Sequence, residues 1–300
     1  MFTQVSVLFL LILVGYFIRH FDLLDENSTS RLSKLTNNVF LPSIVISSMQ
    51  IDYSNDMINN IILLVIMSIV GYALSIVIAL ATKYIFKNNK DLGIYQFAIV
   101  FSNCSFMGLP VVSAILGNNS IFYAAVYNLP FNIVAYTLGV YLLTQNNDKQ
   151  SFKLKTLINP VIIAVVFGFI LFITRIKLPF FMNRTFELLG SVTTPISMIV
   201  IGSMLCASNA FECFKNKKMY LMSFIRLILL PIIMFLLFRH IIHDPVLAAV
   251  PIIITGMPVA ANTAILANEY GGNITLASQC VFMTTLFSVI TIPLISYLLL

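Results

Sequence analysis

Two Gly-x-Pro words stand inside long apolar runs of this 300-residue sequence, Gly108-Leu109-Pro110 and Gly256-Met257-Pro258, and polar side chains gather around both. Ser102, Asn103 and Ser105 precede the first. Thr255 precedes the second, and Asn262 and Thr263 follow it. Proline lacks an amide hydrogen and clashes with the carbonyl four residues back, while glycine relaxes the neighbouring backbone. A helix carrying this word is expected to kink or split at it. The freed amides and carbonyls then need partners, either protein groups or a bound solute. Half-helix N-termini carry partial positive charge and favour an anion. The implied chemistry is capture of a small solute by hydrogen bonds and fixed dipoles. The alternative is a pair of structural kinks with small residues for packing.

Arg226 lies in the middle of another apolar run. A charge there is expensive and ordinarily has a partner or a pathway. It could offset the charge of an anionic solute, snorkel, or bind buried carbonyls. Asn128, Pro130 and Asn132 sit mid-run, Asn37 and Asn38 approach Pro42, and Ser191, Thr193 and Thr194 approach Pro195. Each group could bond solute or ion, or tie helices together. Asn159-Pro160 suits a helix start, where proline is ordinary. Asp244, Glu269, His20, His240 and His243 fall at the ends of runs and read as interfacial. With no acid deep in any run, a proton relay through a buried carboxylate is not supported. Cys104, Cys206, Cys213 and Cys280 match no zinc or thioredoxin spacing and read as small apolar side chains. No His-Glu-x-x-His, no Gly-x-Ser-x-Gly and no Walker motif occurs, so neither an intramembrane enzyme nor an ATP-driven pump is indicated.

The elements that must position these residues follow from composition. The chain is 59% hydrophobic and 9% charged, against about 25% charged for an ordinary soluble domain. Ten candidate spans can be drawn, at 2–17, 32–49, 59–83, 93–116, 121–143, 157–174, 185–207, 219–239, 246–267 and 274–299. Each is a continuous run suited to crossing about 30 Å of hydrocarbon, and none shows the short alternation of barrel strands. The helix satisfies its own backbone in lipid, so the fold class is an all-α integral membrane protein. The first run has no Lys or Arg before it and reads as a retained helix rather than a cleaved leader. The loops are too short to hold a soluble domain. Their charges are uneven: Arg19, Arg31, Lys34, Lys83, Lys87, Lys90, Lys149, Lys153, Lys155, Lys215, Lys217 and Lys218 fall on one side. Arg175, Lys177, Arg184 and Arg239 fall on the other. The richer side is expected to be cytoplasmic and both termini extracytoplasmic, in the cell membrane. The net charge of +6 is scattered and forms no stripe for nucleic acid.

The hydropathy hides a repeat. Leu35-Thr-Asn-Asn-Val-Phe-Leu-Pro42 in the second span matches the layout of Leu188-Leu-Gly-Ser-Val-Thr-Thr-Pro195 in the seventh. Gly108-Leu-Pro-Val111 with Ser113-Ala-Ile-Leu-Gly117 matches Gly256-Met-Pro-Val259 with Thr263-Ala-Ile-Leu-Ala267. The partners lie about half a chain apart, at corresponding spans. One transporter domain over 1–300 would thus comprise two five-helix repeats, 1–144 and 156–300. Five is odd, so the second repeat starts from the opposite side. Inverted repeats of this kind are the usual layout of secondary transporters, with the site where broken helices meet at mid-membrane.

Gly15-Tyr16, the Asn37-Asn38-Val-Phe-Leu-Pro42 segment, Asn103 with Gly108-Leu-Pro110, and Gly256-Met-Pro258 with Asn262 together resemble the auxin efflux carrier family, including its bacterial malate or malonate permeases. The likeness covers nearly the whole chain. It implies a ten-helix fold of two inverted repeats, similar to bile acid:sodium symporters, with the fourth and ninth helices broken at prolines matching Pro110 and Pro258. It implies a scaffold from the first, second, sixth and seventh helices with homodimer contacts there, and a mobile crossover domain working as an elevator. The plant hormone carriers place Asn directly before the crossover prolines, where Leu109 and Met257 stand here, and many carry a long central loop that this chain lacks. The expected substrate is therefore a small organic anion such as malate rather than auxin. No cofactor is implied, and sodium or protons are the candidate coupling ions. A sodium symporter of another solute, and a channel, are the alternatives.

Overall fold

The computed structural model describes residues 2–51, 55–86, 90–144, 160–207, 210–239, 241–242 and 244–299. Lys87, Lys149, Lys153, Lys155, Asn159, His240 and His243 lie outside the described residues, as do the side chains of Asn132 and Glu269. Among the described residues every regular element is helical. Met57–Tyr84, Phe180–Cys206, Lys217–Phe238 and Ile274–Leu298 are each long and apolar enough to cross a membrane. Shorter apolar helices include Pro160–Thr174 and Pro245–Thr255. Ile69, Val77 and Ile290 stand more than half exposed on the long helices. A water-soluble surface tolerates few such patches, whereas lipid requires them.

Proline shapes the helices in a recurring way. A five-residue wide turn at Thr36–Phe40, Cys104–Gly108 or Ile225–Leu229 comes just before Pro42, Pro110 or Pro231. The ring would strike the carbonyl four residues back. Widening the turn removes that conflict, because the bonds reach back five residues. Leu41 N–H accordingly reaches Thr36 O, and Leu230 N–H reaches Ile225 O.

The chain folds as two compact units that draw on both halves of the sequence. The first comprises Met1–Val65, Ser105–Leu129 and Ile158–Ala207, and so holds the first, second, sixth and seventh spans. Its helix Phe2–His20 lies along Thr193–Ala207. That approach depends on two glycines. A Cβ on Gly15 would collide with the backbone of Ile199, and one on Gly202 with the backbone of Ile12 and Tyr16. Small residues at such a seam let backbones meet where no hydrophobic driving force separates helix from lipid. A buried 2.6 Å hydroxyl pair, Thr29 with Ser203, fastens the neighbouring turn.

The second unit comprises Ile66–Cys104, Pro130–Leu157 and Ser208–Leu300. Its helix Leu92–Val100 is buried at every position from Gly93 onward. Gly93 meets the Leu142 backbone, and Gly139 meets the rings of Phe97 and Phe101. The buried Gln96 donates to Ala79 O at 3.1 Å. Helix Ile274–Leu299 packs against both Lys217–Phe224 and the wide turn after it. The third, fourth and fifth spans pass from one unit to the other within their length.

Candidate functional site

The second unit contains two helix interruptions. Helix Leu92–Val100 ends with Phe101 N–H bonding Phe97 O at 2.9 Å. Phe101 then turns to extended backbone, at φ −102 and ψ 108, and the chain runs through Ser102 and Asn103 before the wide turn from Cys104. Helix Pro245–Thr255 ends with Gly256 N–H bonding Ile252 O at 2.9 Å. The chain then runs through Met257, Pro258, Val259 and Ala260, and Asn262 precedes the next helix, Thr263–Glu269.

These two stretches pair with each other. Ser102 and Val259 form an antiparallel bridge. Asn103 N–H donates to Pro258 O at 2.7 Å, and Ala260 N–H donates to Phe101 O at 3.0 Å. Backbone groups freed by the interruptions must bond somewhere when water is absent. Here each interruption is the partner of the other. Val259 N–H takes the Thr284 hydroxyl at 3.1 Å, and that hydroxyl donates to Cys280 O at 2.7 Å.

Arg226 completes the pairing. It is 1% exposed and sits in the wide turn that Pro231 imposes. Its Nε–H donates to Met257 O at 3.0 Å, while Nη1–H donates to Ile99 O at 2.8 Å and reaches Val100 O at 3.5 Å. Of the roles open to it in the sequence, the binding of buried carbonyls is the one the geometry displays. Carbonyl dipoles stabilise a buried guanidinium that would otherwise bear the full cost of desolvation.

Among the described residues, Gln96 Oε1, Ser223 Oγ, Thr285 Oγ1 and Thr291 Oγ1 of this unit are buried without a hydrogen-bond partner, and Asn103 Nδ2 is the atom of that kind that stands on the paired stretches themselves. Asn103 is 4% exposed, and its Nδ2 amide finds no partner among the described residues. A buried donor left unmade costs about 1–3 kcal/mol. Such a donor suits an acceptor from outside the described residues.

The structure thus brings Ser102, Asn103, Thr255, Gly256, Pro258, Asn262 and Arg226 into one unit around one crossing. Asn132 belongs to the same unit, on helix Leu129–Val134. Ser105, Gly108, Pro110 and Asn128 belong to the first unit. Pro110 does not break its helix. Gly108 is helical and the wide turn before it absorbs the ring, so the interruption of the fourth span falls at 101–103 instead. Asn128 closes helix Ser120–Tyr127, its N–H bonding Ala124 O. Sequence reasoning missed Thr284, whose only signal was a Thr-Thr pair inside an apolar run, and the carbonyls of Ile99 and Val100, which carry none. Among the described residues no three His, Cys, Asp or Glu side chains gather as metal ligands.

Comparison with known proteins places the chain in a family. A family model described as membrane transport protein matches residues 1–296. An uncharacterized transporter of Methanocaldococcus jannaschii is 27% identical, over 99% of this chain and 98% of its own. Another, from Methanothermobacter thermautotrophicus, is 27% identical over 99% and 97%. The uncharacterized transporter YfdV of Escherichia coli K12 is 22% identical over 96% and 94%. A match of that length, on an all-helical chain with apolar spans, means that this protein belongs to the membrane transport protein family, the auxin efflux carriers.

Proposed function

We propose that the protein is a secondary transporter that carries a small organic anion, of the malate-like carboxylate class, across the cell membrane by alternating access. The observation that carries this reading is the buried Asn103 amide, whose Nδ2 has no partner among the described residues, at the crossing where the Arg226 guanidinium is bound. An amide N–H beside a buried cation asks for an oxygen with negative charge. Ser102, Thr255 and Asn262 offer further polar groups around the same place.

The finer architecture belongs to the same proposal. Ten spans form two inverted five-helix repeats over 1–144 and 156–300, with both termini extracytoplasmic. The second unit contains the whole crossing and acts as the carrier of an elevator. The first unit supplies the scaffold and the contacts of a homodimer. What supports this is the division of the chain into two units that each mix both halves of the sequence.

The test is uptake of labelled malate and a panel of other carboxylates into proteoliposomes, with and without imposed sodium and proton gradients. Saturable, inhibitor-sensitive flux is expected for at least one small carboxylate. The absence of saturable flux for every anion in the panel would refute the reading. Stimulation by one gradient alone identifies the coupling ion, and steady single-channel current would replace the carrier by a channel.

A further inference from the structure

The backbone ledger of the interruption at 101–103 assigns Arg226 a task beyond its charge. In a continuous helix, Ile99 O would accept from Asn103 N–H and Val100 O from Cys104 N–H. Asn103 N–H goes instead to Pro258 O at 2.7 Å, and Cys104 N–H goes to Ser102 O at 2.8 Å. The two carbonyls left behind are the two that Arg226 Nη1 addresses. On the other segment Met257 O lies where the helix has already stopped, and Arg226 Nε takes it at 3.0 Å. One planar guanidinium therefore donates to carbonyls on both interruptions, two on the first and one on the second.

We infer that Arg226 is the positioning residue of the site: its guanidinium fork, rather than its charge, ties the 99–103 segment to the 257–260 segment and so fixes where the Asn103 amide points. The fork is rigid, with Nε–H and Nη–H groups in one plane, so a single side chain can bond two carbonyls that belong to different segments. A lysine ammonium keeps the charge but concentrates its donors at one point on a flexible stem. Pro231 contributes by widening the turn at Ile225–Leu229, which is where Arg226 stands. Thr284 fastens Val259 from the same unit and leaves the 99–103 segment to Arg226 alone among the side-chain bonds described above.

Hydrogen exchange tests this without any substrate, so its outcome is separate from that of the transport reading. Arg226→Lys and Arg226→Gln are compared with the wild-type protein in nanodiscs, following peptides that cover 99–104 and 257–261. Exchange in both peptides is expected to accelerate about tenfold or more in both variants, with helix 66–81 unchanged. Arg226→Lys that protects both peptides as well as wild type would overturn the inference, because charge would then suffice. In the wild-type protein the two peptides are expected to open together as temperature rises. Independent opening of one without the other would overturn it equally, and this measurement does not depend on either variant folding.

Discussion

Asn103→Leu separates stability from function. Both side chains branch at Cγ and carry four heavy atoms, leucine's being the bulkier, and the backbone N–H that pairs with Pro258 O is untouched. What disappears is a buried amide whose Nδ2 has no partner among the described residues. Removing such a group recovers its desolvation cost, about 1–3 kcal/mol. For a protein of this size each kcal/mol is worth about 2–4 °C of melting temperature. Leucine's extra bulk in a buried site opposes this by about 1–3 kcal/mol, so the substrate-free variant is expected to melt no lower than wild type in detergent. The same change deletes a hydrogen bond to a charged ligand, about 1.5–3 kcal/mol, which weakens binding by about 10- to 150-fold. Thermal unfolding without ligand, paired with the concentration dependence of malate uptake in proteoliposomes, reads both quantities. A variant that melts lower than wild type and transports equally well would refute the assignment. Asn103 would then be an ordinary core amide whose partner had been overlooked.

Two further substitutions probe the supports. Thr284→Val keeps the shape but strands Val259 N–H in the interior, and is expected to destabilise by about 1–3 kcal/mol, read as a lower melting temperature with faster exchange at Val259. A valine equal in stability to threonine would remove Thr284 from the account of the crossing. Gly202→Val forces a side chain into the backbone of Ile12 and Tyr16. Overpacking of this kind costs about 1–3 kcal/mol or more, so the variant is expected to melt several degrees lower or to elute as aggregate in size exclusion. Unchanged behaviour would mean that the two helices do not meet there.

Much of this protein was legible in its sequence because the deciding forces there are local. Continuous apolar runs fix the bilayer as solvent, and the bilayer leaves helices as the economical form. The interruption after Thr255 was readable too, since glycine and proline stand side by side with Met257 and neither sustains the helix. The span-four interruption was not. Phe101, Ser102 and Asn103 are capable of helix, and the nearby proline that drew attention, Pro110, is absorbed by a widened turn. Those three residues leave the helix because Pro258 O and Ala260 N–H, remote in the chain, bond the backbone of Asn103 and Phe101, while Arg226 takes the Ile99 and Val100 carbonyls that the next helical turn would have used. Likewise the sequence shows that Arg226 stands within an apolar run and must have partners, but main-chain carbonyls have no letter of their own. Which carbonyls are left open is settled only when two distant interruptions lie against each other and each takes the other's donors.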